Sequence, residues 1–278
     1  MKHNVFPFFA VISSVFFSCT PLDSNSSDQS NNGSSNVVQT RKIKETVMDV
    51  FTIAGKNTQV SSYEYNGDLL SRITTTSDGA MSSKQEYAYE TRTTVQNVFS
   101  FVDGNWKLDY VTTDVYLDDA RTKLMKRTTD MTVSGTNSIT ETMYEYNNTG
   151  LLSTITKYTN DEAKSKYEYT YSGKTGIIKT FIYVDGQWQD SHIITNTYAD
   201  DGLTKITESV ISRESKTSTE KYEYEGDDLK TILYYTGDKL SAKREYVYNA
   251  DTKVETYSLL ISGEWTVYYI ITTRYLEE

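Results

Sequence analysis

Few residues in this chain have the types and spacing that chemistry needs. It carries two histidines and one cysteine, Cys19. His3 lies in the apolar-led start of the chain. His192 stands alone in SHIITNTY, a stretch that reads as a strand. With His3 in the leader and no nearby cysteine, it has no partner for a nucleophilic pair or a zinc set. No G-x-S-x-G elbow, P-loop or dinucleotide fingerprint is present. Paired carboxylates recur at Asp118-Asp119, Asp200-Asp201 and Glu277-Glu278. Their oxygens suit Ca²⁺ in principle, but no EF-hand spacing accompanies them, and they read as polar turn residues. A glycosidase needs two facing carboxylates of unlike pKa, and no spacing nominates such a pair. We therefore assign no catalytic residue, no metal ligand and no cofactor, and expect a non-enzyme. A carboxylate-dependent hydrolase is the alternative. Trp106, Trp188 and Trp265 each follow a glycine, in VDGNW, VDGQW and ISGEW. Indoles on a sheet stack sugars, so these three are candidate ligand-stacking residues. The competing reading packs each indole over its own hairpin.

The elements that must position these residues form a repeat. YEYNGDLLSRIT starts at Tyr63, YEYNNTGLLSTIT 81 residues later at Tyr144, and YEYEGDDLKTIL another 78 later at Tyr222. The tryptophan hairpins and the acidic pairs recur in the same register. A fixed period in three copies marks a repeat architecture. The copies run over residues 37–119, 120–201 and 202–278. Within each, stretches such as SKYEYTY (Ser165–Tyr171) and KREYVY (Lys243–Tyr248) alternate large and polar residues with period two. Thr, Tyr, Val and Ile dominate, as strands prefer. Hairpin signals fall at Asn66-Gly67, Asp78-Gly79, Asp103-Gly104, Asp185-Gly186, Gly226-Asp227 and Gly237-Asp238. The pattern predicts an all-β antiparallel meander of about 18 strands, six per copy. Such a single-layer sheet either stays extended, coils, or closes into a barrel. A transmembrane barrel is disfavoured, because Lys, Glu, Thr and Asp interrupt the alternate positions that lipid would require to be apolar.

Composition agrees with a thin sheet. The chain is 37% hydrophobic, and 24 of its 278 residues are tyrosine. Tyrosine brings an apolar ring and a hydroxyl that needs water or a partner. The net charge of −10 disfavours nucleic acid and anionic lipid surfaces, so no nucleic-acid partner is expected.

The start of the chain is an address. Lys2 precedes an apolar run from Val5 to Phe17, then Ser18 and Cys19. Residues 1–18 read as a secretory signal peptide, too short for a membrane span of about 20 residues. The segment resembles a bacterial lipobox, which implies lipidation of Cys19 and membrane attachment through that lipid. Residues 20–36, rich in Ser, Asn and Asp, read as a flexible tether.

The repeated Tyr-x-Tyr, glycine turn and Leu-x-x-Ile resemble the YD repeats of the Rhs family. Tyr144, Tyr146, Gly150, Leu152 and Ile155 carry the likeness. Asn66, Asn147 and Glu225 replace the Asp of that motif. The whole layout resembles Gram-negative envelope lipoproteins with tyrosine-rich β repeats, some of them porin-like in fold. That resemblance implies an exported, lipid-anchored protein of the outer membrane or cell surface. Its expected role is non-enzymatic binding or scaffolding, with a glycan or an extracellular protein as ligand. A structural envelope component, in which the sheet forms a spacer or assembles edge to edge, is a further alternative. Any unique function is expected where the copies differ, as at Lys123–Thr136, His192 and Ile211–Ser218.

Overall fold

A computed structural model describes residues 41–52, 55–200 and 202–276. Cys19, the tether, Asp201 and Glu277-Glu278 lie outside the described residues. The first copy forms β1 (Ile43–Thr52), β2 (Gly55–Asn66), β3 (Leu69–Ser77), β4 (Ala80–Tyr89), β5 (Thr93–Val102) and β6 (Asn105–Tyr116). The second forms β7 (Leu124–Asp130), β8 (Ile139–Tyr146), β9 (Leu152–Thr159), β10 (Glu162–Ser172), β11 (Thr175–Val184) and β12 (Gln187–Tyr198). The third forms β13 (Ile206–Arg213), β14 (Lys216–Glu225), β15 (Asp228–Thr236), β16 (Lys239–Tyr248), β17 (Thr252–Ile261) and β18 (Glu264–Tyr275). Each strand pairs antiparallel with the next, and β1 pairs with β18 from Ile43↔Tyr275 to Val50↔Tyr269. The meander is therefore a closed barrel of 18 strands with no free edge. Of the outcomes open to the sequence, closure is the one realised.

Turn chemistry follows the signals. Asp78-Gly79, Asp103-Gly104 and Asp185-Gly186 all have positive φ at both residues, the type I′ geometry whose twist matches the strands. In the first copy the β2–β3 turn centres on Gly67-Asp68, and Asn66 is the last strand residue. Asn160-Asp161 makes a turn of the same hand without glycine, which short Asx side chains tolerate.

Closure is helped by irregularities that repeat with the sequence. Register shifts interrupt the β2–β3, β3–β4, β5–β6 and β6–β7 pairings, and the same four recur in the other two copies, counting β18–β1 as the last. A bulge adds local twist and bend, which turns a sheet toward its own far edge.

The registers divide the side chains into two faces. Among the described residues, the buried ones, including Ile73, Val98, Ile232 and Ala242, fall on one face, Ser258 being the exception. Side chains converge on the concave side of a closed sheet, so this face lines the interior. The Tyr-x-Tyr motifs point there. One ring of tyrosines sits near the end of every even-numbered strand: Tyr65, Tyr89 and Tyr116, then Tyr146, Tyr171 and Tyr198, then Tyr224, Tyr248 and Tyr275. A second row lies two residues deeper, among them Tyr87, Tyr169 and Tyr246. The outer face carries Lys84–Glu86, Lys166–Glu168 and Lys243–Glu245 ion pairs at 3.0, 2.7 and 2.8 Å.

A round barrel of 18 strands, spaced about 4.8 Å and tilted about 40°, has a backbone radius of roughly 18 Å. Opposed side chains cannot meet across that distance. Accordingly, among the described residues extensive strand contacts join sheet neighbours only. Most inner residues are half-buried, as befits the wall of a water-filled lumen.

The junctions between copies are held by charge. Lys42 and Lys205 each donate to a turn carbonyl, Gly67 O at 2.8 Å and Gly226 O at 2.9 Å, and pair with Asp68 and Asp227. Asp118 and Asp200 act as turn residues: their carboxylates accept hydrogen bonds from the hydroxyls of Thr122 and Thr204, both at 2.7 Å. The first junction has an extra lock. Asp114, only 5% exposed, accepts two bonds from Arg127 at 2.7 and 2.8 Å. That hydrogen bonding raises the Arg127 pKa against the opposing effect of burial.

Two outcomes are expected. Val47→Pro removes a ladder donor between β2 and β18 and reopens the seam. It should cost at least about 3 kcal/mol and yield oligomers in size-exclusion chromatography. A monomer of unchanged urea midpoint would contradict closure. Asp114→Ala strands Arg127 on the wall and should cost about 3 kcal/mol, the low end for a buried pair, because Arg127 keeps 27% of its side chain exposed. Equilibrium unfolding measures it.

Candidate functional site

The sequence-nominated residues take three different positions. The tryptophans face outward near the hairpin end opposite the tyrosine ring. Lys84 lies over the rings of Phe99 and Trp106 at 4.3 and 5.2 Å, and Lys166 over Phe181 and Trp188 at 4.8 and 5.3 Å. Lys243 lies 4.8 Å from Trp265. Phe101 meets Trp106 edge-on at 4.9 Å, and Tyr183 meets Trp188 at 5.0 Å. Leu260 takes the matching place opposite Trp265, which is 40% exposed. Each indole thus has a lysine over it. His192 lies on the inner wall opposite Thr180 and within 3.2 Å of Ser191 Oγ. Among the described residues no group of three or more His, Cys, Asp or Glu side chains could hold a metal ion.

The inner wall has a distinct patch that the motifs did not nominate. In the third copy, Glu220 (β14), Tyr234 (β15), Arg244 (β16), Glu255 and Tyr257 (β17) and Tyr269 (β18) share the inner face. The equivalent residues of the first copy are Ser61, Thr75, Gln85, Gln96, Val98 and Tyr110, and of the second Thr142, Lys157, Tyr167, Ile178, Thr180 and His192. Only the third copy places an arginine between two carboxylates here. The signal was available in the sequence, as the difference between aligned copies rather than as a motif.

Small residues make the patch possible. Ala242 is 3% exposed and lies between Tyr234 and, two residues along the neighbouring position, the ring of Tyr257. With no larger side chain there, the rings of Tyr234 and Tyr257 meet edge-on at 5.9 Å. Tyr257 also stacks on Tyr269 at 5.1 Å. The Arg244 guanidinium lies 5.9 and 5.8 Å from the Tyr234 and Tyr257 rings. Its Nε is 3.2 Å from Glu255 Oε1, within ion-pair range, yet off the hydrogen-bond line, so this buried nitrogen has no acceptor. Glu255 Oε1 accepts from the Tyr269 hydroxyl at 3.0 Å, and Glu220 Oε2 accepts from Tyr222 at 2.5 Å. Burial works against the Arg244 charge, but Glu255 and the tyrosine oxygens outweigh it and raise its pKa. Burial, then the Glu220 acceptor, pushes the Tyr222 phenol well above its ordinary value.

The wall carries both signs of charge. Asp114, Glu220 and Glu255 share it with Lys107, Arg127, Lys157, Arg213, Lys216, Lys239, Arg244 and Lys253.

The tyrosines give a pH dependence. Burial pushes Tyr110, Tyr169 and Tyr248 up to about 12. The unfolded chain ionises its phenols near pH 10, while the native wall keeps them protonated. Between pH 10 and 12 the unfolded state binds fewer protons, so stability falls as pH rises through that window and levels off above it. The melting temperature should drop from pH 10 onward, with phenolate absorbance rising together with loss of circular dichroism. Reversible ionisation of most phenols near pH 10 with the fold intact would contradict the inward placement.

No protein-family model and no curated protein sequence matches this chain. Among solved structures it is similar to a porin-like protein from Bacteroides uniformis ATCC 8492, at 15% identity over 85% of this chain and 96% of that one, with a TM-score of 0.44. It is also similar to a porin-like protein from Bacteroides vulgatus ATCC 8482, at 11% identity over 86% and 100% of the two chains, TM-score 0.38.

Proposed function

We propose that this is an exported, lipid-anchored barrel of the outer membrane or cell surface, and that its lumen is a non-enzymatic binding compartment. One observation carries the reading: the polarity of the barrel is the reverse of what lipid demands. A membrane-spanning barrel turns an apolar band and aromatic girdles outward and keeps its polar residues inside. Here the tyrosine rings face inward, and lysine–glutamate pairs ladder the outside. Such a barrel is stable in water, and its attachment falls to the Cys19 lipid. A single acyl chain binds weakly, whereas several hold firmly.

Residue 41 enters at the end of the barrel that carries the outer tyrosine ring, beside Tyr275. A glycan or an extracellular protein is the ligand this compartment would take. Closure leaves no unpaired strand for edge-to-edge assembly, so a purely structural role would be that of a spacer.

Fractionation of cells expressing the full chain tests the address. The wild type should sediment with membranes and carry a diacylglyceryl-modified Cys19 by mass spectrometry. Cys19→Ala should become water-soluble and monomeric without detergent. A Cys19→Ala protein that still needs detergent would refute the reading.

A further inference from the structure

We infer that the third-copy patch around Arg244 is a binding site for an uncharged saccharide. The inference rests on the reading of the lumen as a binding compartment and names the place and the ligand class within it. Three observations converge. First, the patch is where the copies part: a repeat that needed only a closed wall is satisfied by Ser61, Gln85 and Gln96 in the first copy, yet the third places Glu220, Arg244 and Glu255 at those positions. Second, its polar groups are incompletely used. The buried Arg244 Nε lacks an acceptor, and the carboxylates of Glu220 and Glu255 each take a single tyrosine hydroxyl, leaving further lone pairs. Third, acceptors and the Arg244 guanidinium stand beside the rings of Tyr234 and Tyr257 on a half-buried inner wall. Sugar hydroxyls both donate and accept, and sugar C–H faces pack on aromatic rings. Within the patch two carboxylates, Glu220 and Glu255, flank the single Arg244, which argues against an anionic ligand.

Isothermal titration calorimetry of the full-length Cys19→Ala chain tests the site. The probes are maltohexaose, xylohexaose, cellohexaose, mannohexaose and laminarihexaose, with polygalacturonate and spermine as charged counterparts. At least one neutral oligosaccharide should bind, and Arg244→Gln should weaken it at least about tenfold, as loss of hydrogen bonds to a charged group does. Arg244 is ion-paired, so that variant is accompanied by Glu220→Gln, which disturbs no ion pair and should weaken binding about fivefold or more. Gln85→Ala in the first copy should leave affinity within about twofold, and thermal melts establish that each variant is folded. Binding of no neutral probe at millimolar concentration overturns the inference, as does preference for a charged one. Equal binding by wild type, Arg244→Gln and Glu220→Gln overturns this site while leaving the lumen reading intact.

Discussion

The pairing of β1 with β18 is the constraint on which everything else depends. It joins residues more than 200 positions apart in sequence and removes both edges of an 18-stranded sheet. An open meander of this size would present two long rows of unpaired backbone groups, an invitation to aggregate. Closure converts those rows into ladder bonds and fixes the curvature. It thereby decides which face is crowded and which is bathed in solvent. The recurring bulges are local, but only a closed circuit gives their bends a common purpose.

Stability in such a barrel does not come from a deep core. Few side chains are fully covered, and all the buried ones but Ser258 line a single inner layer. Tyrosine suits this arrangement. Its ring covers the pleat and packs with cross-strand neighbours, while its hydroxyl reaches a carbonyl or water. Tyr89 and Tyr146 donate to Leu70 O and Leu124 O on nearby strands, at 2.8 and 3.0 Å. Lysines over the rim tyrosines, such as Lys42 over Tyr65 and Lys205 over Tyr224, finish the mouth. The outward ion pairs contribute little individually at exposed sites, and their main effect is to keep the outer wall wet.

Repetition and exception divide the labour. Features present in all three copies, including the tyrosine ring, the bulges and the tryptophan hairpins, build the wall. Features present once can do something else, although some of them still hold the wall together. The Asp114–Arg127 pair locks the first junction alone, where the others use Asn196 with Ser209 and Thr273 with Thr46. The Glu220–Arg244–Glu255 group is likewise single, and it lies well inside the barrel rather than at a hinge or turn.

The sequence by itself determined the strands, their number and the hairpins between them, because period-two alternation and glycine turns are local properties of the chain. It also determined the threefold repeat, which places Asp118, Asp200 and the three tryptophans at recurring positions. It did not determine closure, because either an open or a closed sheet satisfies the same alternation. Nor did it say which of the two faces is the inside: alternation defines two faces symmetrically, and only curvature breaks that symmetry. The repeat alignment already puts Gln85, Tyr167 and Arg244 at one position of three copies, but it does not say what faces each of them across the strands. Arg244 meets Glu255 and faces Tyr234 and Tyr257 because three neighbouring strands align, a relation set by cross-strand register and therefore decided only by the tertiary structure.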